Sequence, residues 1–286
     1  MAFTLHKQVR KDDALRESFM DLARRVFGLS FADWYAAGWW GDRYIPYVLA
    51  QGGRVVSCAA VNPMDFRLEG RRRRYIQIGT VMTDPGFRGQ GLARRLLEEI
   101  LADWQGKADG VYLFANDTVL NFYPRFGFRQ AAEVQYTLPV SPGPGDFVPL
   151  DTGSPAGQEI LRRCYAKSNP FSSFSMEDNL GLIMFWCGCL PGCAYYSPSM
   201  DTVVLAEREG DTLFCHDIFG HPGRPLGQVL AGLCRQESRA ELGFAPAEAG
   251  DWAVTPLAGE DTLFVLAGGE NPCAGRRLRF PSLSHA

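Results

Sequence analysis

The chain has 286 residues, 46% of them hydrophobic and 21% charged, and a net charge of −3. That length is comfortable for two domains, and the composition is globular, with no general attraction for nucleic acid or an anionic membrane. No run approaches the ~18 apolar residues of a membrane span, and the opening Met-Ala-Phe-Thr-Leu-His-Lys lacks a signal-peptide pattern, so a cytoplasmic protein without membrane contact is expected.

Elements alternate through the first half. Phe3–Val9 reads as a strand, Asp12-Asp13 opens a helix to about Phe27, and a short aromatic helix covers Phe31–Trp39. Strands follow at Tyr44–Ala50, Arg54–Phe66 and Arg74–Thr83, the first two joined by the turn residues Gln51-Gly52-Gly53. The basic run Arg71 to Arg74 reads as a solvated hairpin turn. Asp84-Pro85-Gly86 breaks the third strand. Leu92, Leu96, Leu97, Ile100, Leu101 and Trp104 then recur at helical spacing, with one buried face. Val111–Ala115 reads as a short buried strand, Asp117–Phe126 as a short helix and Phe128–Leu138 as a strand.

Pro139 to Pro149 holds four prolines and two glycines, which places the domain boundary there: residues 1–140 and 146–286. The second half repeats the order of elements in worn form. Helices are expected at Ala156–Lys167 and Met176–Cys189, a hairpin at Thr202–Ile218, a helix at Leu226–Ala240, a strand near Leu242 and strand structure within Thr262–Pro281. Seven of the eight cysteines lie beyond residue 160, and Cys187, Cys189 and Cys193 cluster. They lack the paired spacing or nearby histidines of a zinc site, so reduced thiols and no metal are expected.

The segment from Gly79 to Ala93 carries the chemistry. A buried strand runs through Asp84-Pro85-Gly86-Phe87-Arg88-Gly89-Gln90-Gly91 directly into a helix. Gly89 and Gly91 allow close backbone approach, and the unpaired amides at the helix start form an anion site suited to a pyrophosphate. Neither the dinucleotide nor the P-loop spacing is present. Arg88-x-x-Gly91-x-Ala93 instead resembles the R/Q-x-x-G-x-G/A signature of the GNAT superfamily of N-acyltransferases. The stretch Asn116 to Phe128 is similar to the same family's N-x-x-A-x-x-F-Y-x-x-x-G-F segment, with Val119 in place of the usual small residue. The resemblance covers residues 3–138.

It implies an α/β (α+β) GNAT fold, a mixed, mostly antiparallel sheet flanked by helices, here in a tandem of two GNAT-like domains. It also implies acetyl-coenzyme A as cofactor. Amides of Arg88, Gly89, Gln90, Gly91, Leu92 and Ala93 would bind its pyrophosphate. Val81, Met82 and Thr83 would run beside the pantetheine arm like an added strand, with Asn116 also touching it. Backbone N–H groups near Val81–Met82 would stabilise the oxyanion. Tyr123 would stand at the sulfur as the acid, since a thiol titrates near 8.5 and a tyrosine near 10.

Many relatives place a glutamate on the strand before the glycine turn, and this strand carries none. Either a base acts through water from Asp42, Asp65, Asp117 or Glu133, or the amine arrives neutral. The family's acceptor region corresponds to Trp34, Trp39, Trp40, Asp42 and Tyr44, where rings beside a carboxylate suit a cationic amine. Asn169-Pro170-Phe171 and His216-Asp217 are expected to complete a pocket between the halves. In the second half, Gly223-Arg224-Pro225-Leu226-Gly227 stands where the cradle would be. Its proline removes an amide, so that domain is expected to bind no cofactor. The reading is an acetyltransferase acting on a primary amine of a small molecule or peptide; the alternative is a coenzyme A-binding sensor or scaffold without turnover.

Overall fold

The computed structural model describes residues 2–7, 9–248, 250–259 and 261–286. Strand β1 (Thr4–Lys7) leads to α1 (Asp13–Phe27), α2 (Ala32–Ala36) and the long meander of β2 (Ile45–Gln51), β3 (Arg54–Leu68) and β4 (Arg71–Thr83). Helix α3 (Leu92–Trp104) crosses to β5 (Gly110–Asn116), and β6 (Phe128–Gln130) and β7 (Val134–Pro139) follow. Helix α1 starts where Asp12 accepts from the Leu15 amide at 3.0 Å, a side-chain cap that satisfies one of the open donors of the first turn.

The second half comprises β8 (Val148–Pro149), α4 (Pro155–Tyr165), β9 (Phe174–Glu177), α5 (Leu180–Cys189), β10 (Ala194–Ser197), β11 (Thr202–Glu209) and β12 (Thr212–Gly220). Helix α6 (Leu226–Leu233), β13 (Arg239–Leu242), β14 (Ala253–Pro256) and β15 (Asp261–Leu266) complete it.

Two sheets result, in the orders β1-β2-β3-β4-β5-β15-β6, with β9 added beside β3, and β14-β7-β13-β12-β11-β10-β8. Both are mixed and mostly antiparallel. The parallel pairs are β4 with β5 and β12 with β13, each bridged by one helix, α3 or α6. That shared strand–helix–strand unit supports the reading of two related halves. The halves also trade strands. β15, from near the end of the chain, lies beside β5 in the first sheet, while β7 lies beside β13 in the second.

The sheets therefore do not divide the chain at the proline-rich segment. The expected strand 128–138 is two strands in different sheets, broken at residues 131–133. Other elements also differ from expectation. The helix read over 117–126 is two one-turn helices, Asp117–Val119 and Tyr123–Phe126. Residues 176 and 177 leave the expected helix and, with 174 and 175, pair with β3. Helix α6 stops at Leu233 because the Glu237 carboxylate draws in the amides of Arg235 (2.6 Å) and Gln236 (3.1 Å), bending the chain toward β13.

Arg72, Arg73 and Arg74 are ion-paired with Asp178, Glu270 and Asp65, so this part of the basic run is locally neutralised. All eight cysteines are free. Among the described residues no group of histidines, cysteines and carboxylates is placed to hold a metal, and no helix is long and apolar enough to cross a membrane.

Candidate active site

Strands β4 and β5 pair only at Tyr75–Gly110, Ile76–Val111 and Gln77–Tyr112. Beyond that point they part, and a groove of about 1180 Å³ opens between residues 78–83 of one and 114–116 of the other. Six successive β4 residues line it, so the groove meets a strand edge whose N–H and C=O groups have lost their neighbour on that side. A bulge in the β3–β4 ladder, between the pairs Cys58–Met82 and Ala60–Gly79, marks the start of this edge. Within it Thr80 has φ 49°, a left-handed conformation that a β-branched residue rarely adopts.

The turn after β4 is anchored from below. Asp84 is buried, ion-paired with Arg25 at 2.7 Å and Arg54 at 2.5 Å, and accepts from the Gly86 amide at 3.0 Å. The Arg25 hydrogen bond holds its carboxyl below the usual carboxylate range, against the opposing effect of burial. Gly89 and Gly91 have φ of 77° and 74°. Open space surrounds both, so conformation, not crowding, asks for glycine there. Gly91 precedes α3, whose first-turn amides have no carbonyl a turn earlier to bind.

Of the residues expected to contact cofactor, all line this one groove except Gln90, which sits in the turn without facing it: Val81, Met82, Thr83, Arg88, Gly89, Gly91, Leu92, Ala93 and Asn116, with Tyr123 beside them. The Asn116 side-chain oxygen Oδ1 accepts from the Thr118 amide at 3.1 Å. Tyr123 is 5% exposed and packs on Phe122, Phe128 and Phe264. Burial first, then the nearby Asp261 charge, push its phenol up to about 12, so it stays protonated.

The sequence reading missed several groove residues. Arg94 and Arg125 line it with Arg88, and among the described residues none of the three forms an ion pair with a carboxylate. Arg94 directly follows the matched motif, which was the available signal. Asp261 arrives on β15 opposite Asn116, and Ala286 lies beside Gly79, where an added Cβ would collide with the Ala286 main-chain oxygen. Nothing local announces either. The tail reaches the groove by stacking: Phe280 on Tyr112 (4.2 Å) and His285 on Phe114 (3.6 Å), while Trp186 donates to the His285 carbonyl at 2.9 Å.

A second, smaller cavity of about 170 Å³ lies beyond Thr80, lined by Trp34, Trp39, Arg43, Tyr44 and Asn62 from the first half and by residues 178–182 at the start of α5. Its walls are tied together by Trp34, which donates to the Gly181 carbonyl at 2.6 Å. Two expected acceptor residues are elsewhere. Trp40 is a core residue, 2% exposed and ringed by Phe19, Phe31 and Tyr44. Asp42 faces solvent, paired with Arg10 at 2.6 Å.

None of the four base candidates lines the groove. Burial would raise Asp65, but Arg74 and Arg43 hold it low. Burial pushes Glu133 up to about 7, and its oxygen accepts from the Phe280 amide at 2.7 Å. Asp117 begins the turn after Asn116. Asn169 and Asp217 bond one another at 2.6 Å inside the second half, and His216 lies between Ser282 and Glu207; neither pair lines the groove or the smaller cavity next to it. Pro225 does stand immediately before α6.

This fold, with an amide cradle after the fourth strand and a groove between parting parallel strands, defines an acyltransferase architecture. The family model described as an acetyltransferase (GNAT) domain matches residues 9–131. The chain thus carries a GNAT acetyltransferase domain, an acyltransferase class that uses acetyl-coenzyme A. No curated protein sequence matches it. Among solved structures it is similar to a probable N-acyltransferase from Enterococcus faecalis, at 17% identity and TM-score 0.59 over 93% of this chain and 72% of the other. It is also similar to Eis1 from Mycobacterium abscessus (18%, TM-score 0.58, 92% and 73%) and to a GCN5-related N-acetyltransferase from Kribbella flavida (16%, TM-score 0.55, 92% and 71%). At these identities the likeness shows the fold, and it extends over both halves.

Proposed function

We propose that this protein transfers an acetyl group from acetyl-coenzyme A to a primary amine of a small molecule or peptide. The observation that carries the proposal is convergence on one groove: an unpaired β4 edge, the open amides of α3, three arginines without a carboxylate ion pair among the described residues, and a buried protonated tyrosine. The donor set suits a long ligand with an anionic head and an amide-bearing arm. When bound, acetyl-coenzyme A supplies an activated acyl thioester.

The chain's own groups would then act as follows. The Arg88 amide is taken up by the Pro85 carbonyl, so amides from Gly89 to Arg94, at a helix N-terminus with positive partial charge, would hold the diphosphate, and Arg94 and Arg125 would meet the 3′-phosphate. The β4 edge at Val81–Thr83 pairs with the amide-bearing arm. Its N–H groups meet the negative charge that develops on the carbonyl oxygen, a contribution of a few kcal/mol per donor. The neutral amine forms its bond to the acyl carbon as the carbon–sulfur bond breaks. Tyr123 gives its proton to sulfur and regains one from the acylated nitrogen, so protons balance.

The amine would approach through the smaller cavity, whose rings at Trp34, Trp39 and Tyr44 offer π-faces to a cation. Its location between the halves is a common one for ligands. The test is calorimetric titration with acetyl-coenzyme A, followed by free-thiol release across a panel of primary amines. Binding with amine-dependent thiol release is expected. Absence of binding heat overturns the proposal, and binding without thiol release from any amine favours a sensor that has kept its cradle.

A further inference from the structure

Thr80 occupies a conformation it would not choose. Its φ of 49° sits in the left-handed region, where a β-branched side chain crowds its own backbone. Such a residue persists only when its surroundings over-determine it. Besides the β3–β4 ladder on either side of the bulge, its side chain is held by a hydrogen bond: the Tyr44 hydroxyl donates to Thr80 Oγ1 at 2.9 Å.

Tyr44 is itself rigidly held. It is buried at the entry to β2, and its ring lies 5.3 Å from Trp40, 5.4 Å from Phe31 and 5.6 Å from Trp34. Trp40 Nε1 donates to the Tyr44 carbonyl at 3.0 Å, which fixes the backbone as well. Few degrees of freedom remain between this aromatic cluster and the hydroxyl. The bond also joins the two cavities, because Tyr44 lines the smaller one and Thr80 the groove. Thr80 lies in the bulge immediately before Val81 and Met82, whose backbone is the part of the edge assigned to the reacting carbonyl.

We infer that Tyr44 is a positioning residue, which through its hydroxyl bond to Thr80 locks the bulge and so aims the Val81–Met82 amides at the reacting carbonyl. This rests on the acetyl-transfer reading above and adds to it a role for the Tyr44 hydroxyl, which acts through Thr80 and is separate from the ring face that lines the amine's approach. A released Thr80 would relax toward extended backbone, turning the following amides away while leaving the diphosphate cradle, anchored separately by Asp84, in place.

Initial-rate kinetics with acetyl-coenzyme A and an amine accepted by the unaltered protein test this. Tyr44→Phe keeps the ring in its cluster, and Thr80→Val removes the same bond from the other side with the aromatic cluster untouched. Each is expected to lower kcat about five- to tenfold, as the loss of one hydrogen bond implies, with KM for acetyl-coenzyme A within about twofold. Thr80→Ser, which keeps the hydroxyl, should retain near-normal kcat. The double variant should be no worse than either single one, since both remove one interaction. Unchanged kcat in Tyr44→Phe, or losses that multiply in the double variant, overturns the inference while leaving acetyl transfer standing. An unaltered protein that gives no heat with acetyl-coenzyme A overturns the underlying reading instead.

Discussion

Replacing Tyr123 by Phe tests its proposed role as the acid that protonates sulfur. The ring contacts survive the change, since Phe122, Phe128 and Phe264 pack against the aromatic carbons at centroid distances of 5.2, 6.2 and 5.9 Å. Stability should therefore move by no more than about 0.5 kcal/mol, or roughly 2 °C in melting temperature. The catalytic cost follows from the two acidities. The phenol stands at about 12 and a thiol near 8.5, a gap of about 3.5 pKa units or about 5 kcal/mol. The proton is thus shared with sulfur as the bond breaks, not delivered in advance, which puts the effect near the lower end of the ~10²–10⁴ range for acid catalysis. A fall of about 100-fold in kcat, with coenzyme A affinity by calorimetry unchanged, is the expected result. The acid also stays protonated across ordinary assay conditions, so kcat should show no descending limb from this group below about pH 11. Turnover within twofold of the unaltered protein, or an affinity loss as large as the kcat loss, would refute the assignment.

Arg94→Ala and Arg125→Ala should each raise KM for acetyl-coenzyme A about two- to fivefold, the range for exposed ion pairs. They should also narrow the preference for acetyl-coenzyme A over its 3′-dephospho form; an unaltered preference places those cations away from the 3′-phosphate. Asp84→Asn removes a carboxylate whose folded pKa is depressed, so its contribution is present above the unfolded value near 4 and lost as pH falls through the folded one. Thermal melts should show the variant several degrees less stable at pH 7, with the two curves converging in acid; a constant difference down to pH 2 contradicts the ion-pair account. A fragment of residues 1–140 loses β15, which leaves β5 and β6 without the strand that joins them. It should aggregate or melt without cooperativity, and cooperative melting with retained acetyl-coenzyme A binding would show that the strand exchange is dispensable.

The strand–turn–helix proposed to cradle the diphosphate was legible in the sequence because its requirements are local. Positive φ at two glycines, a strand before them and a helix after them all fall within fifteen residues, and no distant contact is needed to recognise them. Trp40 was not separable from Trp34 and Trp39 on the same grounds. All three carry the same side chain on one aromatic segment, and only the packing of Phe19 and Phe31 decides which indole is interior. The exchange of β7 and β15 was illegible for a related reason. Alternating or apolar runs announce a strand but not its neighbours, so residues 128–138 read as one strand although their two parts serve different sheets.

That exchange changes what the second half is for. Phe264 of β15 packs 5.9 Å from the Tyr123 ring, and Asp261 on the same strand adds to the field that keeps its phenol protonated. The tail fixes Phe114 through His285, and the start of α5 walls the smaller cavity. A half without a cradle motif of its own thus supplies the backing of Tyr123, one end of the groove and one side of the smaller cavity. Such a half can lose cofactor-binding residues freely, yet its strands and tail stay tied to the chemistry, because the first sheet is incomplete without them.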